Sequence, residues 1–198
     1  MLMLGISTSG REPSVGISRD GIGMGLFGDT SGASYSETLM GLIERAVFDA
    51  GTELNDLDAI AVDVGPGSFT GVRIGVSCAN AMAEALGIPM IPVSSLAALR
   101  RLENTVGYVA ALIDCRNGNC YAALYKDGEE EILPCAAVTE EFLSRLPEGT
   151  RLVGDCHGRR DIPNAELVLK EAFENGRAQR EAVPMYLRPS QAERMKKN

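Results

Sequence analysis

Tryptophan is absent from this 198-residue chain, and aromatic residues make up only 5% of it. That shortage excludes the rows of stacking rings with which proteins hold single-stranded nucleic acid. Positive charge is scarce too: 19 Lys and Arg against 27 Asp and Glu leave a net charge of -8. Gripping a phosphate backbone takes a basic face. Any service to nucleic acid is therefore expected to be indirect, with contact limited to small patches at Arg100 and Arg101, at Arg159 and Arg160, or in the tail "ERMKKN".

There is one histidine, His157. It excludes the H-E-x-x-H and H-x-x-x-H zinc motifs, and no G-x-S-x-G elbow accompanies it. In "GDCHG" it reads as a loop residue at a strand end. The cysteines at 78, 115, 120, 135 and 156 are odd in number, include no C-x-x-C pair and follow no signal peptide. That usage fits a reducing cytoplasm. No apolar run approaches the ~20 residues that cross a bilayer, so no membrane partner is expected.

What is present is globular: 45% hydrophobic and 23% charged residues, on a length that suits one large domain or two lobes. "MLMLGIS" reads as a buried strand. "SVGIS" and "GIGMGLF" alternate, with Ile22, Met24 and Leu26 on one face. Polar links join the three into an antiparallel meander. "SGASYSETLMGLIERAVFDAG" is a helix with a capping box at Ser34 and Glu37, a stop at Gly51, and an apolar arc through Leu39, Leu42, Ile43, Ala46, Val47 and Ala50. A strand at 58–64, a helix at about 70–86, the strand "IPMIPVS" and the helix "SSLAALRRLE" follow. The order β-β-β-α-β-α-β-α predicts a mixed sheet flanked by helices. It is the order of the RNase H-like lobes of actin, sugar kinases and Hsp70, the ASKHA group. The second half starts the same way, with strands at 107–115, 118–128 and 129–138, a helix at 139–146, the strand "RLVGD" and a helix at 165–175. The expectation is an α/β protein of two RNase H-like lobes, 1–98 and a smaller, abbreviated 99–198, with "VPMYLRPSQAE" packing back as a last strand or helix.

Between strand and second helix lies the loop Gly65, Pro66, Gly67, Ser68, Phe69, Thr70, Gly71, with Arg73 just beyond. Glycines permit positive φ, and a helix N-terminus after such a loop can hold phosphate. The Walker ending Gly-Lys-Ser/Thr is missing and the dinucleotide spacing fails by one position. A structural turn is the plainer reading. The helix is unusual in its sides: only Arg73, Ser77, Asn80 and Glu84 make a polar stripe, and the rest is apolar or small. Gly71, Gly75, Ala79 and Ala83 recur every four residues, a spacing that lets another helix approach closely. The first helix of the same chain is one candidate cover, a partner protein the other.

Actin-like kinases end their first strand in an aspartate near nucleotide and metal, where this chain has Ser7. A neutral hydroxyl does not hold a magnesium-bound water as a carboxylate does. Thr8, Ser9 and Asp63 are the candidates for a remnant nucleotide site. Asp63 and Asp114, each at a strand end, serve equally well as loop caps.

The loop "GPGSFTGVRIG" at 65–75 closely resembles the signature of the TsaB family, also called YeaZ. "STS", "SETL", "PVSSLAAL", "IDCRNGNCYAALY" and "PMYLR" extend the resemblance over nearly the whole chain. The resemblance implies a catalytically degenerate relative of TsaD, the metal-dependent transferase that puts threonylcarbamoyl on adenosine 37 of tRNAs reading codons that begin with A. It implies heterodimerisation with TsaD, assembly with the TsaE ATPase, a homodimer when that partner is absent, and no cofactor or metal of its own. The family's interface helices fall at 36–50 and 70–86. They carry Ser36, Met40, Ile43, Val47, Thr70, Val72, Gly75, Val76, Ala79, Met82, Ala83 and Leu86 as expected contacts. Ser7, Tyr35 in place of a common histidine, and a short second lobe depart from the family pattern. The alternative reading is an enzyme, either an actin-like ATPase or kinase, or a glycoprotease-like peptidase.

Overall fold

A computed structural model describes residues 1–32, 34–103, 106–156 and 158–188. The histidine and the "ERMKKN" tail lie outside them. The first half is a five-stranded sheet in the order β3-β2-β1-β4-β5, formed by β1 (Leu2–Ser7), β2 (Ser14–Arg19), β3 (Ile22–Gly28), β4 (Ala59–Asp63) and β5 (Met90–Val93). β1 is antiparallel to β2 and parallel to β4. It lies inside the sheet with both faces covered, which is why "LMLGIS" is apolar throughout rather than alternating. α1 (Tyr35–Asp49) and α2 (Phe69–Leu86) cover one face, against Leu4, Ile6, Ile60 and Val62. The α1 arc buries Leu39, Ile43, Ala46 and Val47 as its periodicity predicts.

The edge strand β3 departs from simple alternation. Its register to β2 shifts between Ile17 and Ser18. Such a bulge re-aims side chains. Ile22, Met24 and Leu26 stay exposed, and Phe27 packs toward α1 under the Arg45 guanidinium.

The second half repeats the plan with one strand fewer. β6 (Tyr108–Asp114), β7 (Asn119–Lys126), β8 (Glu129–Val138) and β9 (Arg151–Gly154) lie in the order β8-β7-β6-β9. α4 (Thr139–Ser144) covers one face through Phe142, and α3 (Ser95–Arg100) the other through Leu96 and Leu99.

The packing does not divide where the repeat does. α5 (Ala165–Asn175) follows the second sheet in sequence, yet it packs on the open face of the first, through Leu167, Val168, Leu169 and Ala172 against Met3, Ala59, Ala61 and Ile91. Gly5 admits it: a Cβ there would sit 2.5 Å from Leu169 Cγ. The following segment also returns. Gln179 bridges to Met90, Ala182 is clamped by Asn80 through two 2.9 Å hydrogen bonds, and the Met185 N–H donates to Val64 O at 2.7 Å. A boundary at 98/99 therefore follows the repeat in the chain, not the packing. Residues 165–186 complete the first half.

α3 and α5, each on the other half's side of the joint, are tied by charge. Glu171 accepts from Arg100 Nη2 at 3.0 Å and from Arg101 Nε, while Arg101 Nη1 donates to Glu174. Arg100 and Arg101 are thus no surface patch for RNA. Their side chains are nearly enclosed and spent on carboxylates.

Candidate docking face and glycine loop

β4 delivers Asp63 to the foot of the glycine loop, fully buried. Ser7 Oγ donates to it at 2.9 Å, Ser95 Oγ at 2.5 Å and the Gly65 N–H at 2.9 Å, and Ser9 Oγ donates as well. Burial pushes the Asp63 carboxyl up from its ordinary value, against the opposing pull of these donors. Thr8, also buried, donates to Gly71 O at 2.7 Å. Thr8, Ser9 and Asp63 are therefore brought together, as the remnant-site expectation requires, but as a closed knot. Their polar atoms hold one another and the loop. The space between the halves, about 520 Å³ lined by Arg11, Asp114, Arg116 and Asp155, borders Ser9 but not Asp63. Ser7 is one strut of the knot. Tyr35 braces the same region by donating to Gly10 O at 2.7 Å.

The loop is tight in the literal sense. Gly65 has φ of 93° and precedes Pro66 in a cis peptide. A Cβ on Gly67 would lie 2.4 Å from Ser9 O, and one on Gly71 2.0 Å from Thr8 O. Ser68 caps α2 by accepting from the Gly71 N–H at 3.2 Å.

The small-residue stripe is corrected by the same geometry. Gly71, Gly75, Ala79 and Ala83 are buried, and a Cβ on Gly75 would meet Thr8 Oγ1 at 2.2 Å. The stripe lets α2 approach the end of β1, not a second molecule. Of the expected contact residues, Ile43, Val47, Val72, Gly75, Val76, Ala79 and Ala83 belong to the chain's own core. A helical wheel finds two apolar sides on α2 but does not say which one the sheet takes. Met82 and Leu86 are half-buried, and Ser36, Met40 and Thr70 face out.

What α2 turns outward is a second small strip, Ser77, Ala81 and Ala85. α1 borders it on one side: Cys78 Sγ lies 3.8 Å from Met40 Sδ and 4.0 Å from Met82 Sδ. Burial raises the Cys78 thiol, so this seam is uncharged. The returning segment borders the other side. Asn80 holds Ala182, and Arg73 lies over the Phe69 ring at 3.9 Å while its Nε donates to Tyr186 Oη at 2.7 Å. Two of the four residues in the polar stripe read from the sequence, Arg73 and Asn80, thus fasten residues 182–186. α1 adds Met40 and Phe48, the latter 81% exposed. Phe48 was legible as an apolar residue lying off the α1 core arc, on the side of Glu44 and Arg45.

With the geometry in view, similarity to known proteins is decisive. A Bacillus subtilis protein, tRNA threonylcarbamoyladenosine biosynthesis protein TsaB, is 32% identical over 158 residues, 77% of this chain and 69% of the relative. The chain belongs to the TsaB (YeaZ) family. The Escherichia coli TsaB is 34% identical over 135 residues, 67% of this chain and 58% of that protein. The solved structure of YeaZ from Pseudomonas aeruginosa superposes with a TM-score of 0.73 at 27% identity, covering 94% of this chain and 99% of that one. The family model that matches, over residues 22–152, is described as TsaD, tRNA N6-adenosine threonylcarbamoyltransferase. This chain thus shares a sequence pattern with that family. The alignments span only 58% to 69% of the two TsaB relatives' lengths. Among the described residues no helix is long and apolar enough to cross a membrane.

Proposed function

We propose that this TsaB-family chain is a non-catalytic subunit in the formation of threonylcarbamoyladenosine on tRNA. It docks through the outward face of α1 and α2 onto the TsaD transferase subunit, in an assembly that the TsaE ATPase joins. The observation that carries this reading is the outward strip itself. Met40 stands exposed at the α1 edge of the strip, its Sδ 3.8 Å from Cys78 Sγ. Ser77, Ala81 and Ala85 are exposed along α2, and Phe48 adds a further exposed apolar side chain on α1. Exposed apolar side chains grouped in this way mark a protein contact. The closed state of the Asp63 knot supports a scaffolding role, because its hydroxyls and carboxylate are engaged with each other. In the absence of TsaD the same face serves a homodimer, since a two-fold contact reuses one patch on both copies.

Arginine at Ala79 or Ala83 cannot test this, because both face the core. Ala81→Arg and Met40→Arg change only outward positions. Each is expected to weaken binding to purified TsaD about 100-fold, as a central contact residue does. Surface plasmon resonance reads the affinity, and circular dichroism melting should stay within about 2 °C of the unchanged chain. Unaltered affinity in both folded variants would refute the docking face. Gel filtration of the same variants without TsaD should show the homodimer lost in parallel.

A further inference from the structure

Three sulfur atoms meet where α1 runs beside α2. Cys78 Sγ lies 3.8 Å from Met40 Sδ on α1 and 4.0 Å from Met82 Sδ on α2. Met82 follows Cys78 by four residues, the spacing that places two side chains on one side of a helix. None of the three is sealed in: Met40 is 46% exposed, and Cys78 and Met82 are half-buried. Leucine fills such a seam as well as methionine does. What the thioethers add is soft, polarisable lone pairs.

The spacing fits a metal ion. With metal–sulfur bonds of about 2.3 Å, three sulfurs in a plane around one ion stand about 4 Å apart. Both observed separations agree with that figure. The third edge, from Met40 to Met82, closes by turning the exposed Met40 side chain about its rotatable bonds. Donor chemistry then names the ion. Thiolate and thioether together select Cu(I) over harder ions. Charge agrees, because a monovalent ion on one thiolate makes a neutral site. That suits a seam where Cys78 and Met82 pack against the apolar core. A divalent ion would leave a net charge there, which is costly away from water. Among the described residues no three His, Cys, Asp or Glu side chains stand together to hold a metal.

We propose that Cys78, Met40 and Met82 bind one Cu(I) ion in a three-sulfur site at the α1–α2 seam. Binding is a ligand exchange. The Cys78 thiol releases its proton to solvent, and the thiolate and both thioethers each give a lone pair to the ion. The ion stays Cu(I), so no oxidant or reductant is consumed. The site is built from one chain. It shares Met40 with the docking face but does not rest on the docking proposal.

Methyl NMR of the full chain, labelled at the methionine ε-methyl groups, tests it at the ligands themselves. Anaerobic titration with Cu(I), supplied as its acetonitrile complex, should move the Met40 and Met82 signals and leave the rest of the eight methionines in place. The change should be complete at about one equivalent, as a single site requires. Met40→Leu and Met82→Leu assign the two signals. Competition with bicinchoninate reads the affinity. Cys78→Ser should weaken it about 100-fold or more, and each leucine variant about 10-fold. Zn(II) is the harder control ion and should move neither methyl. Cu(I) held only by Cys115, Cys120, Cys135 or Cys156 would leave both methyls unmoved. Unmoved Met40 and Met82 methyls in the unchanged chain, an equal response to Zn(II), or full affinity in folded Cys78→Ser would each overturn the assignment.

Discussion

Glu171→Ala is expected to cost about 3–5 kcal/mol of folding stability, the range found when one partner of a buried ion pair is removed. Glu171 is 8% exposed and accepts from Arg100 Nη2, Arg101 Nε and Asn175 Nδ2. Its loss strands two guanidinium groups whose side chains are only 12% and 10% exposed. Glu174 compensates Arg101 alone, and from an exposed position. The damage should concentrate at the joint, because α3 covers the second sheet and α5 the first. Glu171→Gln keeps the shape and one acceptor oxygen, so it should fall between the alanine variant and the native chain. Urea unfolding measures the loss, and hydrogen exchange locates it in α5 and α3. A cost for Glu171→Ala below about 1 kcal/mol, the worth of an exposed pair, would mean that the network is solvated and the joint is held by the apolar packing of Ala98 against α5 instead.

The elements themselves were legible in the chain because each carries its own local signal. Period-two or unbroken apolar runs marked β1, β4 and β6. The Ser34–Glu37 cap and Gly51 bounded α1, and glycines bounded α2 on both sides. The antiparallel meander and the mixed sheet followed from element order, since a meander continued by crossover helices has few ways to close. What the chain concealed is long-range. Nothing in "AELVLKEAFEN" says that its apolar side will cover β1 rather than β6. The clue, Gly5 inside an otherwise bulky strand, has meaning only once a helix is known to cross there. The α2 stripes failed for a related reason. Gly75 and Ala81 are both small, but one is small to admit Thr8 and the other leaves an outward surface flat. The Arg100 and Arg101 dipeptide looked like solvated charge because its carboxylate partner lies some seventy residues away in sequence.

The same logic gives the Asp63 knot a measurable weight. Asp63→Ala removes the common acceptor of three serine hydroxyls and the Gly65 N–H, in a place where no part of the side chain reaches solvent. Leaving several buried donors unmet should cost about 3 kcal/mol or more, at roughly 1–3 kcal/mol for each group that cannot re-pair. Because Ser9 and Gly65 anchor the loop that starts α2, the glycine loop should open to proteolysis as well. Asp63→Asn keeps the shape and one acceptor oxygen, and the serine oxygens can rotate to accept from its amide, so its cost should be clearly smaller. The two variants also separate packing from charge. Burial holds the folded-state pKa of Asp63 above its unfolded value, so the native fold binds that proton more tightly than the unfolded chain does. The contribution of Asp63 is then fully present below the unfolded carboxylate pKa of about 4, and it is lost as pH rises through the folded value. The native chain should accordingly lose ground to Asp63→Asn as urea titrations move upward from about pH 4, and the gap should level off above the folded pKa. If the native chain instead gains on Asp63→Asn with rising pH, the four donors outweigh desolvation, and the knot is a stabilised anion rather than a strained one.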